Sequence, residues 1–418
     1  ERTKRHRKTK RSAASIRVAT LNMKGRGQSI PTPSDPRGIS AKWLAINQLV
    51  REQKTAVLAI QETHLSNEHV DDLQSLFGNR IHIIHSPAPE RPTANAGVAF
   101  VLNKERLEVS LTTSTVVIPG RAMALNLVWH NDVPLTILNV YAPNSPTENE
   151  RFWRDIAGKI SRGECHKPDI ILGDFNVVED SSDRLPPHPD HRGATQALSD
   201  LYTSLGLLDA WRNDNPSDRL YTYVPDNGSA LSRLDRIYLN QRHARTATDW
   251  AAEPIAGIPT DHLMVSVSLS DARIPFVGPG RWVIPKTILS DYSFTKYVME
   301  KGRQLLDAFP SPRHRDNTCN AQTLWTEFKS DLRHKARALA KINIPKLAKR
   351  IEKLKVERHR ILNIRDPPSD FDVPFEAALL QQRIKSLEAR RFGQARSTVA
   401  LSSWIHGERL EKPWIAVN

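Results

Sequence analysis

Hydrophobic and polar positions over the first 270 residues follow two patterns. Short apolar runs predict buried strands, and apolar residues three or four positions apart predict amphipathic helices. Residues 39–54 are the clearest helix, with Trp43, Ile46, Leu49 and Val50 on one face. The other predicted helices cover residues 66–77, 146–160 and 195–205. The predicted strands cover residues 16–21, 56–60, 96–102, 122–129, 135–141, 168–172 and a stretch ending near residue 239.

The order of these elements restricts the fold. Three predicted strands, at 96–102, 122–129 and 135–141, follow one another without a helix between them, which indicates antiparallel neighbours. The helix at 39–54 instead connects two strands. We therefore expect an α/β fold with two packed, mixed β-sheets and helices outside, rather than a doubly wound parallel sheet.

The pattern changes after residue 270. Pro275 and the sequence Gly278-Pro279-Gly280 predict a linker. Two Lys- and Arg-rich helical stretches follow, at 325–364 and from 375 to about 403, and they predict a helical hairpin, with a solvated single-helix stalk as the alternative. The expected divisions are a basic disordered arm (1–14), a large domain (15–270), a linker (271–322) and a basic helical extension (323–418).

Charge is distributed unevenly along the 418 residues, whose net charge is +14. Residues 1–11 contain seven Lys or Arg and one acid, residues 12–270 contain 25 basic and 29 acidic residues, and residues 271–418 contain 28 and 16. The basic flanks are therefore the expected source of affinity for a polyanion. The arm reads either as a nuclear signal or phosphate-binding segment, or as a solvated tail.

Cysteine usage and hydropathy exclude several classes of protein. Two cysteines in so long a chain argue against a disulfide framework or a Cys-based zinc site and fit a reducing compartment. No apolar run reaches the length of a membrane span, and the N-terminus lacks the apolar core of a signal peptide, so we expect no membrane partner. The first residue is Glu1, and we expect a fragment of something longer.

Three short polar segments carry related chemistry: Gln61-Glu62-Thr63-His64, Gly173-Asp174-Phe175-Asn176 and Thr260-Asp261-His262. The first two follow predicted strands, where ligands of α/β folds commonly bind. Mg²⁺ takes hard oxygen ligands and keeps several waters, so one or two carboxylates and a substrate phosphate suffice. The segments therefore indicate a Mg²⁺ and phosphate site.

Further segments complete a series: Asn22 after the first strand, Tyr141 and Asn144 after residues 135–140, and Asp235 in Ser232-Arg233-Leu234-Asp235-Arg236. This order resembles the endonuclease/exonuclease/phosphatase family over about residues 15–270. The resemblance implies a four-layer αββα sandwich of two mixed β-sheets, here followed by the basic α-helical extension.

The resemblance also implies roles for these residues. Glu62 is the main metal ligand, with Asn22, Asp174 and Asp261 close to it; the metal is Mg²⁺, and Mn²⁺ is a possible substitute. The implied catalytic residues are Asp174, Asn176, Asp235, His262, Tyr141 and Asp261. Asp235 orients His262, and the general base stays open between several groups. Thr260 stands where the family usually has Ser and keeps the hydroxyl.

Substrate contacts are implied for Asn144, Arg184, Thr222 and Ser232. A surface ion pair is the alternative for Arg184. Asp209 is either a buried acid behind the site or a helix cap. Ser232 stands where enzymes that recognise abasic sites carry an aromatic wall, so its small side chain argues against that specificity.

The region from Tyr221 to Asp235, together with Gly278-Pro279-Gly280-Arg281-Trp282 and Trp325-Thr326-Glu327-Phe328-Lys329, resembles the endonuclease and connector of non-LTR retrotransposons. No Tyr-x-Asp-Asp polymerase motif occurs. The resemblance implies a nuclear enzyme that nicks double-stranded DNA and leaves a 3′-hydroxyl for reverse transcription, with element RNA as a possible second partner. The alternatives are a repair-type abasic endonuclease or phosphatase, and a catalytically inactive nucleic-acid-binding relic. The sequence leaves the oligomeric state unknown.

Overall fold

The structure is a computed structural model that describes residues 15–32, 35–129, 133–228, 230–270, 284, 286–308, 320–342, 346–364, 368 and 371–406. The basic arm, the segment 278–282 and the last twelve residues lie outside the described residues. Two compact units are present, one formed by residues 1–276 with 354–418 and the other by residues 277–353. Within the described residues, no helix is both long enough and apolar enough to cross a membrane.

The first unit contains all sixteen strands of the described residues. They are β1 Ser15–Asn22, β2 Ser29–Thr32, β3 Asp35–Ser40, β4 Val57–Gln61, β5 Ile81–Ser86, β6 Val98–Asn103, β7 Thr113–Ile118, β8 Ala122–Trp129, β9 Val133–Tyr141, β10 Ile170–Asp174, β11 Arg184–Leu185, β12 Leu207–Leu208, β13 Leu231–Ser232, β14 Asp235–Asn240, β15 Ala247–Glu253 and β16 Met264–Ser270. The α-helices are α1 Ala41–Glu52, α2 Asn67–Phe77, α3 Pro146–Ser161, α4 Arg192–Leu205, α5 Ala210–Asp214, α6 Gln241–Ala244, α7 Lys286–Leu289, α8 Tyr292–Asp307, α9 Ala321–Ile342, α10 Lys346–Leu362 and α11 Val373–His406.

Twelve strands form two six-stranded sheets. The first has the order β15-β16-β1-β4-β6-β5, and the second has the order β12-β14-β10-β9-β8-β7. Each sheet is mixed, because β1 with β4 and β9 with β10 are parallel pairs among antiparallel ones. The predicted antiparallel pairing is confirmed for β8 and β9, whereas β6 lies in the other sheet, between β4 and β5.

Side chains on the facing surfaces of the two sheets form one buried cluster, which includes Val57 of β4 and Ile137 of β9. The opposite face of the first sheet packs on α1 and α2, where Trp43 is buried. The opposite face of the second sheet packs on α3 and α4 around Trp153. The predicted four-layer sandwich is therefore confirmed. Strands covered on both faces read as continuous apolar runs, which is why β4 and β10 are recognisable in the sequence.

Local signals set the helix ends. The Ser66 hydroxyl caps α2 and the His69 side chain reaches back to the Ser66 amide, so two otherwise unpaired donors are satisfied. Pro146 begins α3, where its missing N–H is harmless. Gly206 ends α4 in the left-handed region. These helices begin and end within a few residues of their predicted bounds.

The C-terminal half contains more helix than expected. The predicted linker, residues 271–322, includes α8, whose Phe294 is buried against Ile288 and Ala336 of the second unit. The single stretch predicted over residues 325–364 is divided into α9 and α10, and residues 343–345 between them lie outside the described residues. The hairpin is confirmed, because Ile361 of α10 is buried against Val373 and Leu380 of α11. The domain bounds themselves stay a prediction.

Candidate active site

The polar strand-end residues of both sheets surround one cavity of about 460 Å³. Parallel pairing places the ends of β1 and β4 side by side, and likewise those of β9 and β10. Antiparallel pairing of β10 with β14 puts Asp174 directly opposite Asp235. The cavity is lined by Lys24, Glu62, Asn144, Asp174, Asn176, Arg184, Tyr223, Leu234, Asp261 and His262.

The backbone at this edge adopts unusual conformations. Glu62, Asn176 and Lys24 all have φ near +50°, which non-glycine residues rarely adopt. Gly173 has φ +146°, and a Cβ there would lie 1.9 Å from the Val140 carbonyl oxygen, so only glycine fits before Asp174. Such conformations persist where the surrounding structure enforces them, and they are concentrated at functional sites.

A buried amide joins two of the carboxylates. The Asn22 Nδ2 donates to Glu62 Oε1 at 2.8 Å and to Asp174 Oδ2 at 2.9 Å, while its Oδ1 accepts from the Lys24 amide at 3.0 Å. Asn22 therefore presents a nitrogen to the carboxylates. It fixes the spacing of two candidate ligands in this arrangement, although the sequence predicts it to be a ligand itself.

His262 lies between two buried acids. Its Nδ1 is 2.8 Å from Asp235 Oδ2, and its Nε2 is 4.0 Å from Asp174 Oδ2. The three residues offer ligand atoms within 4.8 Å of one another. Asp235 already engages the Nδ1 of His262, which leaves Nε2 and the Asp174 carboxylate directed towards the cavity that both residues line. Asp235 is held in turn, since its amide donates to the buried Thr222 hydroxyl at 2.9 Å.

Burial and charge shift the titration of this cluster. Burial and then the neighbouring Asp235 raise the pKa of Asp174 to about 6. Burial opposes the imidazolium form of His262, but the Asp235 charge outweighs it and raises the pKa of His262 to about 9. At neutral pH the metal-free site therefore holds a protonated His262 beside two acids.

The loop before β16 is fixed to β1. The Thr260 hydroxyl donates to the Asn22 carbonyl at 2.9 Å and accepts from the His262 amide at 3.2 Å. Lys24 Nζ donates to Asp261 Oδ2 at 2.9 Å, which raises the pKa of Lys24. Partial burial works against ionisation of Asp261, yet the bond from Lys24 prevails and lowers its pKa.

Arg184 lines the cavity and forms an ion pair with Asp190. Its guanidinium makes two 2.6 Å contacts with Asp190, and its Nη1 donates to the Ser232 hydroxyl at 2.7 Å. The predicted alternative, an ion pair, is thus present, and it is half-buried rather than superficial. The Ser232 side chain is itself buried.

Asp209 combines both of its predicted possibilities. It caps α5 by accepting from the Arg212 amide, and its other oxygen is 2.6 Å from Arg233 Nη2. Arg233 also pairs with Asp183 at 2.8 Å, and the two acids outweigh burial to raise the pKa of Arg233. This buried cluster supports the strand that starts at Asp235.

The structure brings seven of the predicted site residues to the cavity wall: Glu62, Asn144, Asp174, Asn176, Arg184, Asp261 and His262. Four others lie behind it, namely Asn22, Thr222, Ser232 and Asp235, all buried. Tyr141 is buried beside Glu62, to which its hydroxyl is hydrogen-bonded, and burial is the first cause of its raised pKa.

Sequence reasoning missed three wall residues, the apolar Leu234 and the polar Lys24 and Tyr223. Lys24 is two positions from Asn22, and this proximity is the signal that could have identified it. Tyr223 lies with its ring 5.1 Å from that of His262. The stretch Tyr221-Thr222-Tyr223 was noted in the sequence, but the alternation of aromatic and polar side chains there does not show which residue faces the cavity.

Comparison with known proteins shows what this chain is similar to. The sequence profile of the endonuclease/exonuclease/phosphatase family matches residues 19–262, more than half of the chain. The chain belongs to this family. An uncharacterized 149 kDa protein of transposon TX1 from Xenopus laevis is 28% identical over 265 residues, which are 63% of this chain and 19% of that protein. The match therefore spans less than a fifth of this relative.

Two solved structures are also similar to this chain. AP endonuclease LMAP from Leishmania major shares 15% identity with a TM-score of 0.49, over 62% of this chain and 88% of that one. The endonuclease domain of TRAS1, a telomere-specific non-LTR retrotransposon, shares 16% identity with a TM-score of 0.44, over 62% of this chain and all of that domain.

Proposed function

We propose that this chain is a divalent-metal-dependent endonuclease of a non-LTR retrotransposon, which nicks double-stranded DNA and leaves a 3′-hydroxyl for reverse transcription. The observation that carries the proposal is the bonded pair of His262 and Asp235 beside Asp174, in a cavity that also exposes Glu62. Membership of the family and the similarity to a transposon protein support the source and the reaction class.

The donor set fits a hard cation. Glu62 and Asp174 contribute carboxylate oxygens that the shared Asn22 amide keeps close together. Two carboxylates plus substrate phosphate are a typical Mg²⁺ environment, and Mn²⁺ accepts the same ligands. When bound, the cation offsets negative charge that develops on the phosphate. Asp261 lines the same cavity and is already paired with Lys24.

In the proposed reaction, Asp174 accepts a proton and His262 donates a hydrogen bond. We assign to Asp174, whose Oδ2 is 4.0 Å from His262 Nε2 in the same cavity, the role of accepting a proton from the attacking water. His262 is protonated and donates a hydrogen bond from Nε2 to a phosphate oxygen, because Asp235 engages Nδ1. Water loses its proton to Asp174 and forms a bond to phosphorus, the bond to the 3′ oxygen breaks, and that oxygen takes up a proton from solvent to become the 3′-hydroxyl.

The contacts around Ser232 favour undamaged DNA over abasic sites. The hydroxyl of Ser232 is bonded to Arg184, and the side chain is buried, so this position supplies no aromatic surface against a sugar. We therefore rank a repair-type abasic endonuclease, or a phosphatase, below a nicking endonuclease. We place the enzyme in the nucleus through the basic arm, and the basic flanks are its proposed contacts with DNA and with element RNA.

A supercoiled-plasmid assay tests the proposal. Open circles should form with Mg²⁺ or Mn²⁺ and not with EDTA, and a DNA ligase should seal them, because sealing requires a 3′-hydroxyl and a 5′-phosphate. Asp174→Asn should not nick, whereas Asp155→Asn, which changes an exposed carboxylate of α3, should nick like the wild type. Absence of nicking in every metal would favour the inactive nucleic-acid-binding relic. Preferential release of inorganic phosphate from a phosphomonoester would favour a phosphatase.

A further inference from the structure

The C-terminal helical hairpin packs on the nuclease domain. We call residues 354–362 of α10 and 373–391 of α11 the connector hairpin; they belong to the same compact unit as the two sheets. Leu362 and Ala377 of the hairpin are buried with Tyr221, Val224 and Leu231. At Gly228, a Cβ would lie 3.2 Å from the Cβ of Ala378, so α11 passes close to this backbone.

Polar contacts extend the apolar one. Lys355 pairs with Glu253 of β15 at 2.7 Å, and the Arg219 amide donates to the Asn363 side chain at 2.8 Å. Gln382 of α11 donates to the Asp226 carbonyl at 3.2 Å. The connector hairpin therefore contacts the sheet-bearing part of the unit through apolar burial, an ion pair and hydrogen bonds to the main chain. This combination indicates a stable contact rather than a transient one.

The surface under the hairpin is the one that carries the catalytic groups. Tyr223 is bridged to both Ser232 and His262. The Leu263 amide donates to the Thr222 carbonyl at 2.7 Å, and the Val224 amide donates to the Asp261 carbonyl at 2.8 Å. The segment at 260–263 is thus attached to residues 222–224, and these lie against the connector hairpin.

One side chain of the hairpin reaches the catalytic segment directly. Lys385 Nζ donates to the Thr260 carbonyl at 2.9 Å, and the Lys385 side chain is 28% exposed, so water competes only partly for this bond. The Thr260 hydroxyl is anchored from the other side by the Asn22 carbonyl. Thr260 is therefore held between β1 and α11, one residue before Asp261 and two before His262.

We propose that Lys385 is a positioning residue of the active site. Through the Thr260 carbonyl it fixes the segment that presents Asp261 and His262, and it links the connector to catalysis; this inference rests on the proposed endonuclease activity. A displacement of about 1 Å in a catalytic group can cost about a hundredfold in rate. Partial loosening by Lys385→Gln should therefore lower kcat about tenfold with KM changed less than twofold, because Lys385 holds the loop rather than the DNA.

The experiment compares three variants of the full chain in the plasmid assay. Lys385→Gln removes the bond, Lys385→Arg keeps a cation that can reach the carbonyl, and Arg383→Gln removes the same charge from an exposed position on the same helix. Hydrogen exchange of the His262 and Leu263 amides provides a readout that needs no activity. It should accelerate about tenfold in Lys385→Gln only.

The outcomes separate this inference from the proposed function. A fall in kcat and faster exchange in Lys385→Gln, with Lys385→Arg and Arg383→Gln near wild type, support it. Equal effects of Lys385→Gln and Arg383→Gln, confined to KM, would mean that Lys385 supplies only charge and would overturn it. Wild-type protein that does not nick refutes the proposed function, and the exchange data then decide the positioning role alone. Unchanged hydrogen exchange of the His262 and Leu263 amides in Lys385→Gln overturns the positioning role of Lys385.

Discussion

Replacement of Asp235 by Asn should remove the charge that keeps His262 protonated. The acid and the imidazole are both buried and joined at 2.8 Å, and the pKa of His262 is raised from 6.5 to about 9. A group with a raised folded-state pKa stabilises the fold fully below its unfolded pKa, and this contribution is lost as pH rises through the folded pKa. The wild type in EDTA should therefore lose stability between pH 6.5 and 9.

The magnitude follows from the shift. Each pKa unit corresponds to about 1.4 kcal/mol, so the upward shift of His262 is equivalent to roughly 3 kcal/mol of pH-dependent unfolding free energy. In Asp235→Asn the partner is neutral, and only the charges of Asp174 and Asp261 still oppose the burial that lowers the pKa of His262. The loss of stability across this window should then become much smaller. The raised pKa of Asp174 contributes its own pH dependence in a lower window, between its usual value of 3.8 and about 6.

Denaturant unfolding at several pH values in EDTA measures the effect, and NMR titration of the His262 ring measures its pKa directly. Asp155→Asn is the control, because it changes an exposed carboxylate of α3 that is not part of the cluster of Asp174, Asp235 and His262. Equal slopes of stability against pH in the wild type and Asp235→Asn would refute the assignment, as would a His262 pKa near 6.5 in the wild type.

Three more predictions concern the proposed nicking and binding of DNA. Glu62→Ala and Asp174→Ala should each lower nicking by at least the ~10²–10⁴-fold typical of losing a general acid or base; a plasmid assay that finds either within tenfold of wild type contradicts the site. Abasic DNA should be cut no more than about tenfold better than intact DNA when the two compete in one tube. The reason is that the Ser232 hydroxyl is hydrogen-bonded to Arg184, so this position supplies no aromatic surface against a sugar. Deletion of residues 1–11 should flatten the salt dependence of DNA binding, by about 0.9 in the log–log slope for each lost phosphate contact; an unchanged slope would mean that the arm is only a solvated tail.

The sequence predicts several of the fully buried strands, although not β16, which is buried from Met264 to Leu269. Strands β4 and β10 are apolar throughout because both faces are covered, and the carboxylates that follow them mark the sheet edge. Strands β7 and β15 were not predicted. Both pair on one side only, at sheet edges, and are largely half-buried or exposed, so their sequences lack a continuous apolar run.

Long-range polar contacts were beyond prediction. Asn139 of β9 donates to the carbonyls of Ile60 and Ala99 in the opposite sheet, and it accepts from Gln61 at 2.7 Å. Nothing in the local pattern around Asn139 distinguishes it from a surface residue at a strand end. The orientation of an amide is equally hidden, which is why Asn22 reads as a ligand in the sequence but presents its nitrogen to the carboxylates.

The cations at the cavity are already paired with acids. Lys24 is paired with Asp261, Arg184 with Asp190, and His262 with Asp235. In the proposed reaction each of these cations would share its charge between its acid partner and a phosphate. The acidic balance of residues 12–270 then limits how strongly this domain attracts a polyanion by itself. Affinity for DNA is therefore expected to come mainly from the basic arm and the helical extension, while the cavity contributes chemistry and alignment.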